Sequence, residues 1–315
     1  MRCFISTADF QIEEPTVVTI GKFDGRHKGH QKLLGRMLEW KKQYGYKTAI
    51  FTFDMAPSAL VQGTEQKLIT TNQERRNNME RMGIDYLVEY PFSKEVSKLS
   101  PEEFVKEILV GKMNARAIVV GTDCGFGYKR AGNAELLKKL APELGFQVDV
   151  IVKEQDDHRD ISSTYIKEEL QRGNIEKANT LLGEPYAIHG QVIHGKHLGG
   201  PVLGFPTANI VPPVEKFLPP FGVYVSSVYV DGCCYGAITN IGRKPTVEGT
   251  NPIGVETFVF DMPTEMNLYD KNIEVRLFHF VRPETRFENL EELKNQIAKD
   301  KEYGLSYLDN HQILC

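Results

Sequence analysis

Apolar positions in the first half of the chain fall into two alternating patterns. Val17, Val18, Thr19 and Ile20 form a β-branched run without polar alternation, which predicts a parallel strand buried on both faces. Beyond a glycine-punctuated turn from Gly21 to Gly25 the period changes, and Leu33, Leu34, Met37 and Leu38 recur at helical spacing. Further strands are predicted at residues 47–53, 86–88, 117–121 and 146–152, with helices over 68–82 and 133–144. The first of these helices takes its cap near Thr70 or Thr71. Another opens at Ser100-Pro101-Glu102-Glu103, with a serine cap, proline at the first helical position and a carboxylate at the third. Such alternation implies a parallel sheet covered on both faces. Helices over 165–172 and 174–182 follow, and the pattern then breaks at Gly183 and Pro185. From 186 to 281, short alternating runs at 187–193, 223–230, 235–238, 254–260 and 273–280 are separated by Gly and Pro, which predicts a small antiparallel barrel. Leu290, Leu293 and Ile297 mark a closing amphipathic helix over 289–303. The expected division is therefore 1–184 and 185–315.

A length of 315 residues accommodates two domains with separate cores. The formal charge of −4 and a pI near 6.1 argue against general electrostatic binding of nucleic acid. No run reaches transmembrane length and the first residues lack a sustained apolar segment, so a cytoplasmic protein without a membrane partner is expected. The five cysteines, Cys3, Cys124, Cys233, Cys234 and Cys315, are odd in number and contain no C-x-x-C, which favours free thiols over a disulfide framework or zinc site. Cys233 and Cys234 beside Gly232 read as a hairpin turn.

Candidate chemistry concentrates where the first strand hands over to the first helix. His27 and His30 are spaced i, i+3, which puts both imidazoles on one face at a helix N-terminus. Free backbone N–H groups and the positive dipole end suit phosphate there, and two histidines add hydrogen bonds against charge that builds during phosphoryl or nucleotidyl transfer. Gly29 removes a side chain where a base or ribose would approach. An arbitrary histidine pair is ordinarily structural. The strand, glycine turn and helix around this one are what the chemistry requires. Ligands of parallel sheets sit beyond the strand C-termini, where Gly21 to His30, Asp54 and Gly121 to Gly127 converge. Ser162, Ser163 and Thr164 offer three hydroxyls at another helix start, a second phosphate cradle.

Gly21-Lys22-Phe23-Asp24-Gly25-Arg26-His27-Lys28-Gly29-His30 resembles the GxFDGxHxGH signature of the adenylyltransferase half of bacterial bifunctional riboflavin kinase/FAD synthetases. Gly121 to Gly127 resembles the family's GxDFxFG loop, which contacts nucleotide and flavin and includes Asp123 and Phe126, with Cys124 in place of the first Phe. Residues 161–167 resemble ISSTxxR, with Lys167 in place of Arg and the bidentate fork lost. In the second half, Gly204-Phe205-Pro206-Thr207-Ala208-Asn209 resembles the GFPTAN motif of riboflavin kinases, and residues 195–203 their glycine-rich flap. Residues 218–224 and 240–246 match further family blocks, and Gly254-Val255-Glu256-Thr257-Phe258 matches the block with the catalytic glutamate. No G-x-x-x-x-G-K-[ST] loop is present, so a kinase here is not a P-loop enzyme.

The resemblance implies an α/β Rossmann-like nucleotidyltransferase domain followed by a small antiparallel β-barrel riboflavin kinase domain with a C-terminal helix. It implies conversion of riboflavin and ATP to FMN, then of FMN and ATP to FAD and pyrophosphate, with Mg²⁺ at both steps. Glu256, His27 and His30 would be catalytic. Gly21, Phe23, Gly29, Asp123, Ser162, Ser163, Thr164, Lys167, Gly204, Thr207 and Asn209 would hold ATP or its phosphates, with Thr207 and Asn209 at the metal. Phe126, Gly222 and Tyr224 would contact flavin. Riboflavin, FMN and ATP are the expected partners, on a monomer or weak homo-oligomer. The family's TFDPHP block reads Thr52-Phe53-Asp54-Met55-Ala56-Pro57 here. With Cys124 and Lys167 this leaves two alternatives: a kinase with a weakened adenylyltransferase, or an N-terminal domain kept as a flavin- or RNA-sensing module, for which Arg26 and Lys28 supply extra charge.

Overall fold

A computed structural model describes residues 1–55, 66–193, 207–243, 253–263 and 267–313. The chain divides into two compact units, Met1–Ser163 and Thr164–Cys315.

The first unit is a six-stranded, all-parallel sheet. Its strands are β1 (Arg2–Ile5), β2 (Thr16–Ile20), β3 (Lys47–Phe53), β4 (Tyr86–Tyr90), β5 (Ala115–Gly121) and β6 (Gln147–Ile151), in spatial order β1-β4-β3-β2-β5-β6. Helices α1 (Lys28–Tyr44), α2 (Asn72–Arg81), α3 (Pro101–Glu103, continued as a π-helix over Phe104–Lys112) and α4 (Ala134–Leu144) cover it. The unbroken apolar runs follow from burial on both faces. Val18, Phe51, Val88 and Ile118 face a core with Phe104, Leu109 and Leu137, whereas Val17, Ile50, Leu87 and Val119 face Leu34, Met37, Trp40 and Met79. Leu34 and Met37 are fully buried, each stabilising the fold by roughly 1.5–3 kcal/mol.

Both capping signals are realised. Thr71 and Ser100 each accept from the backbone N–H three residues on, while Glu74 and Glu103 reach back to the cap. The helix predicted from residue 68 starts later, at Asn72, because the amides of Ile69 and Thr70 donate instead to Asp24. β1 carries no pattern long enough to have predicted it, and it forms only because β4 offers an edge. A small hairpin, β7 (Gln155–Asp156) and β8 (Arg159–Asp160), precedes α5 (Ser163–Gln171).

The second unit contains α5 apart from its first residue, then α6 (Ile175–Leu182) and a six-stranded antiparallel sheet: β9 (Tyr186–Gln191), β10 (Thr207–Ile210), β11 (Gly222–Val230), β12 (Cys233–Arg243), β13 (Ile253–Val259) and β14 (Asn272–Pro283). The order is β10-β13-β12-β11-β14-β9. An antiparallel bridge between Ile193 and Asn209 joins the two edges, curling the sheet into the expected barrel. The closing helix α7 (Leu290–Asn310) lies on β12, with Gly304 and Gly236 letting Ile238 and Leu308 approach its axis and the strand. Inside, Ser226, Thr239 and Thr257 form a buried hydroxyl chain with links of 2.8 and 2.9 Å. Cys3, Cys124 and Cys233 are free thiols as expected, and Cys233 follows the Asp231-Gly232 turn. Cys234 is disulfide-bonded, which corrects the expectation of thiols throughout.

Candidate active sites

The strand order reverses direction between β2 and β5, so the loops after these two strands flank a crevice at the sheet's carboxyl edge. The loop after β2 is held from several sides. Phe23, fully buried, adopts a left-handed φ of 51°. This costs an L-residue about 1–2 kcal/mol and persists only where the surroundings enforce it. Asp24 Oδ1 accepts from the amides of Ile69 at 2.7 Å and Thr70 at 3.2 Å. Gly25 N–H donates to Thr70 Oγ1 at 3.1 Å, and Ser163 Oγ donates to the Asp24 carbonyl at 2.5 Å. Ser163, expected to hold phosphate, thus also steadies this loop.

His27 and His30 are brought face to face, rings stacked with centroids 3.7 Å apart. His27 caps α1, its Nδ1 accepting from the His30 N–H at 3.3 Å. The neutral ring therefore carries its proton on Nε2, a donor. His30 is the reverse. Its Nδ1 lies 2.8 Å from the Gly25 carbonyl, which only accepts, so Nδ1 carries the proton and Nε2 is left with a lone pair. A Cβ added at Gly29 would stand 3.2 Å from His27 Nδ1, so a larger residue there would push the ring folded onto the helix start by a few tenths of an ångström. Burial, helped by the charges of His30 and Lys153, drives the His27 pKa down to about 3. Burial also lowers His30 to about 4, opposed by its bond to Gly25 and by Asp24 and Asp123.

Both imidazoles are consequently neutral throughout the physiological range, and this has a measurable thermodynamic cost in acid. Unfolded histidine takes up a proton near pH 6.5, whereas the native pair does not until about pH 4 and 3. Stability of the first unit should be complete above pH 6.5 and fall as the pH drops below it, by up to about 1.4 kcal/mol per pH unit for each histidine. Trp40, the single tryptophan, lies in α1 with its Nε1–H on Asp149. Its fluorescence in urea titrations at pH 7, 6 and 5 reports this unit alone. A midpoint that did not move toward lower urea in acid would contradict the neutral pair.

The loop after β5 supplies Asp123, which pairs with Lys153 at 2.9 Å; Lys153 also reaches Asp160 at 3.2 Å. Lys153, just beyond β6, carries no motif, and only the β5–β6 adjacency brings it to the histidines. Cys124 is half-buried and its thiol is pushed up to about 11 by burial, so it is inert near neutrality. Phe126 faces the core against Phe104, with ring centroids 5.7 Å apart, rather than solvent. Of the second cradle, Ser162 is half-buried and Thr164 exposed. Lys167 lies on α5 with Nζ 6.0 Å above the Phe217 ring.

In the barrel, register does the assembling. Asn209 on β10 opposes Glu256 on β13, and Glu256 opposes Asn240 on β12. Directly opposed residues share a face, as do residues two apart on one strand. Asn240, Glu256, Asn209 and Thr207 therefore lie on one outward face, and Asn209 Nδ2 sits 3.5 Å from Thr207 Oγ1. Asn240 opens the family block at 240–246, and the strand pairing is what sets it beside Glu256. Beyond it on the same face, a Cβ at Gly242 would collide with the Glu284 carboxylate, so this second acid borders the row. Tyr224 is fully buried inside the barrel with its hydroxyl donating to the Pro220 carbonyl, which shapes the segment before β11. Gly222 has a φ of 155°, and a Cβ there would meet the Arg282 carbonyl at 2.3 Å. Gly222→Ala should destabilise the barrel by about 3 kcal/mol or more, read as a loss of soluble kinase unit or of its melting temperature. Gly204, the flap at 195–203, residues 244–246 and Ala56 lie outside the described residues.

Comparison with known proteins matches both halves. The FAD synthetase family model fits residues 9–165 and the riboflavin kinase model fits residues 182–308. A bifunctional riboflavin kinase/FMN adenylyltransferase of Bacillus subtilis is 35% identical over 94% of this chain and 93% of its own length. The Escherichia coli K12 protein of the same description is 34% identical over 92% and 91%. A solved structure described as a macrolide-efflux protein from Streptococcus pneumoniae is 29% identical, with a TM-score of 0.83 over 96% of this chain and 97% of that one. Among the described residues no helix is long and apolar enough to cross a membrane. With a family model on each unit and relatives above 30% identity along nearly its whole length, the chain belongs to the bifunctional riboflavin kinase/FMN adenylyltransferase family.

Proposed function

We infer that the chain carries both activities of its family, phosphorylating riboflavin with ATP to give FMN and then adenylylating FMN to FAD with release of pyrophosphate. The observation that carries this reading is the tandem of family models on two units, each with its own polar constellation. A FAD synthetase match over residues 9–165 and a histidine pair stacked at the helix start both speak against a kinase-only chain or a sensing module.

In the barrel, Glu256 accepts the proton of the riboflavin 5′-hydroxyl as that oxygen attacks the γ-phosphorus of ATP, and ADP leaves. Thr207 and Asn209 offer one hydroxyl and one amide oxygen on the face that Glu256 shares. So few hard oxygens suit Mg²⁺, which keeps waters and substrate phosphates in its shell, and these two residues would hold it where it neutralises phosphate charge. Gly222 and Tyr224 fix the backbone against which the flavin lies.

In the first unit an FMN phosphate oxygen attacks the α-phosphorus of ATP. His27 Nε2–H donates to the phosphate, His30 Nε2 is available to a proton on it, and Gly21, Phe23 and Gly29 shape the loop around it. Lys153 balances part of the polyphosphate charge beside Asp123. Ser162, Ser163, Thr164 and Lys167 serve the leaving phosphates, and Phe126 supports the flavin side of the crevice. We place the working boundary near residue 184, supported by the start of the kinase model at residue 182. The reading further places the protein in the cytoplasm, as a monomer or weak homo-oligomer that meets riboflavin, FMN and ATP there.

The test is direct. Purified chain with riboflavin, ATP and Mg²⁺ should yield FMN first and FAD after it, with one ADP and one pyrophosphate per FAD. Product that stops at FMN would overturn the adenylyl-transfer assignment, and FAD formed only from added FMN would overturn the kinase assignment.

A further inference from the structure

Beneath the loop that presents the histidines lies a buried charge cluster that no step above employs. Glu89, on β4, has no solvent exposure and faces the same side of the sheet as Leu87. One of its oxygens takes Arg75 Nη2 at 2.6 Å, and the other takes Arg76 Nε and Nη2 at 2.9 and 2.5 Å. Arg76 is partly solvated, but Arg75 is almost wholly buried, and its Nε has no partner among the described residues. Its remaining nitrogen, Nη1, donates to the backbone carbonyl of Lys22 at 3.3 Å.

A buried ion pair is a poor route to stability, since apolar packing of similar volume does as well or better. An orphaned guanidinium nitrogen makes this one poorer still. Its geometry suggests another use. The Lys22 carbonyl belongs to the peptide that leads into Phe23, the residue held at a φ of 51°. Fixing that peptide plane fixes the left-handed Phe23, whose ring lies 4.7 Å from the His30 ring and close against Gly21. His30 is thus set by Phe23 on one side and the Gly25 carbonyl on the other.

We propose that Glu89 and Arg75 form a brace that holds the Lys22 carbonyl and, through the strained Phe23, sets the orientation of His30 in the adenylyl-transfer crevice. Arg75 is a positioning residue: it touches no substrate, and it acts through the loop. The inference rests on the reading that this crevice makes FAD, and its test separates the two.

The full chain is compared with Arg75→Gln, Arg75→Lys and Arg76→Gln, assaying FMN adenylylation and riboflavin phosphorylation in the same preparations. Arg75→Gln should lower kcat for FAD formation by roughly tenfold to a hundredfold, the scale of a displaced reacting group, with KM for FMN within about threefold. Arg75→Lys should recover part of the loss. Arg76→Gln, which removes a partner of the same carboxylate without touching the loop, should stay within about twofold, and kinase turnover should be unchanged in all three. Once Phe23→Ala is present, Arg75→Gln should cost less than about twofold more, because the path it acts through is gone. The His30 ring resonances should move in both Arg75 variants and not in Arg76→Gln. This readout needs no turnover, so it decides the brace even if the chain makes no FAD, an outcome that would count against the activity instead. Wild-type kcat in Arg75→Lys with unmoved His30 resonances would overturn the proposal, as would losses that simply multiply with Phe23→Ala. If Arg75→Gln fails to fold, Arg75→Lys and Arg76→Gln still decide it.

Discussion

FAD formation by His27→Asn should fall by roughly a hundredfold to a thousandfold, the usual loss when one donor to a developing charge is removed, while FMN formation from riboflavin is unchanged. Asparagine is chosen because His27 caps α1 through Nδ1. An asparagine side-chain oxygen accepts the same His30 N–H, so the helix start survives, whereas alanine would lose about 1 kcal/mol there as well. What asparagine lacks is the Nε2–H on the far side of the ring. Separate initial rates with FMN and with riboflavin measure the two activities on one polypeptide, and the unaffected kinase controls for folding. Because His27 is neutral down to about pH 3, burial being the main cause, the loss should be the same at pH 6 and pH 8. A defect that disappears at either pH would mean that the imidazolium, rather than the neutral donor, does the work.

The mirror experiment is Glu256→Gln. Removing a general base from phosphoryl transfer costs about a hundredfold to ten-thousandfold, so FMN production should collapse while FAD production from supplied FMN continues. Glutamine keeps the volume and the hydrogen-bonding head beside Asn209 and Asn240 but not the basicity. Turnover within about tenfold of the parent would shift attention to Glu284, the other carboxylate bordering this row. Together the two variants should complement when mixed, FMN made by His27→Asn being adenylylated by Glu256→Gln.

Hydrophobic period alone was enough to distinguish a doubly covered parallel sheet from an antiparallel barrel. Strands buried on both faces read as near-continuous apolar runs, whereas the second half breaks into short runs separated by Gly and Pro. The caps at Thr71 and Ser100 were legible for the same local reason, since each uses a side chain and an amide three residues apart. His27, His30, Thr207, Asn209 and Glu256 are candidates through resemblance to family motifs, which are contiguous in the chain.

What the sequence could not express is anything that depends on which strand lies beside which. β1 exists because β4 has a free edge, and the helix at 68–82 lost its first turn to Asp24. Lys153 reaches Asp123 only because β6 docks on β5, and Asn240 joins Glu256 only through the β12–β13 register. Phe126 and Tyr224, aromatic residues that match ligand-contacting blocks, turned inward to fill cores. The tautomers of the two histidines were likewise decided by carbonyl and amide groups brought up by the folded turn. Local chemistry is written residue by residue, but a partner tens of positions away is selected by sheet order and side-chain burial, and these exist only once the chain has folded.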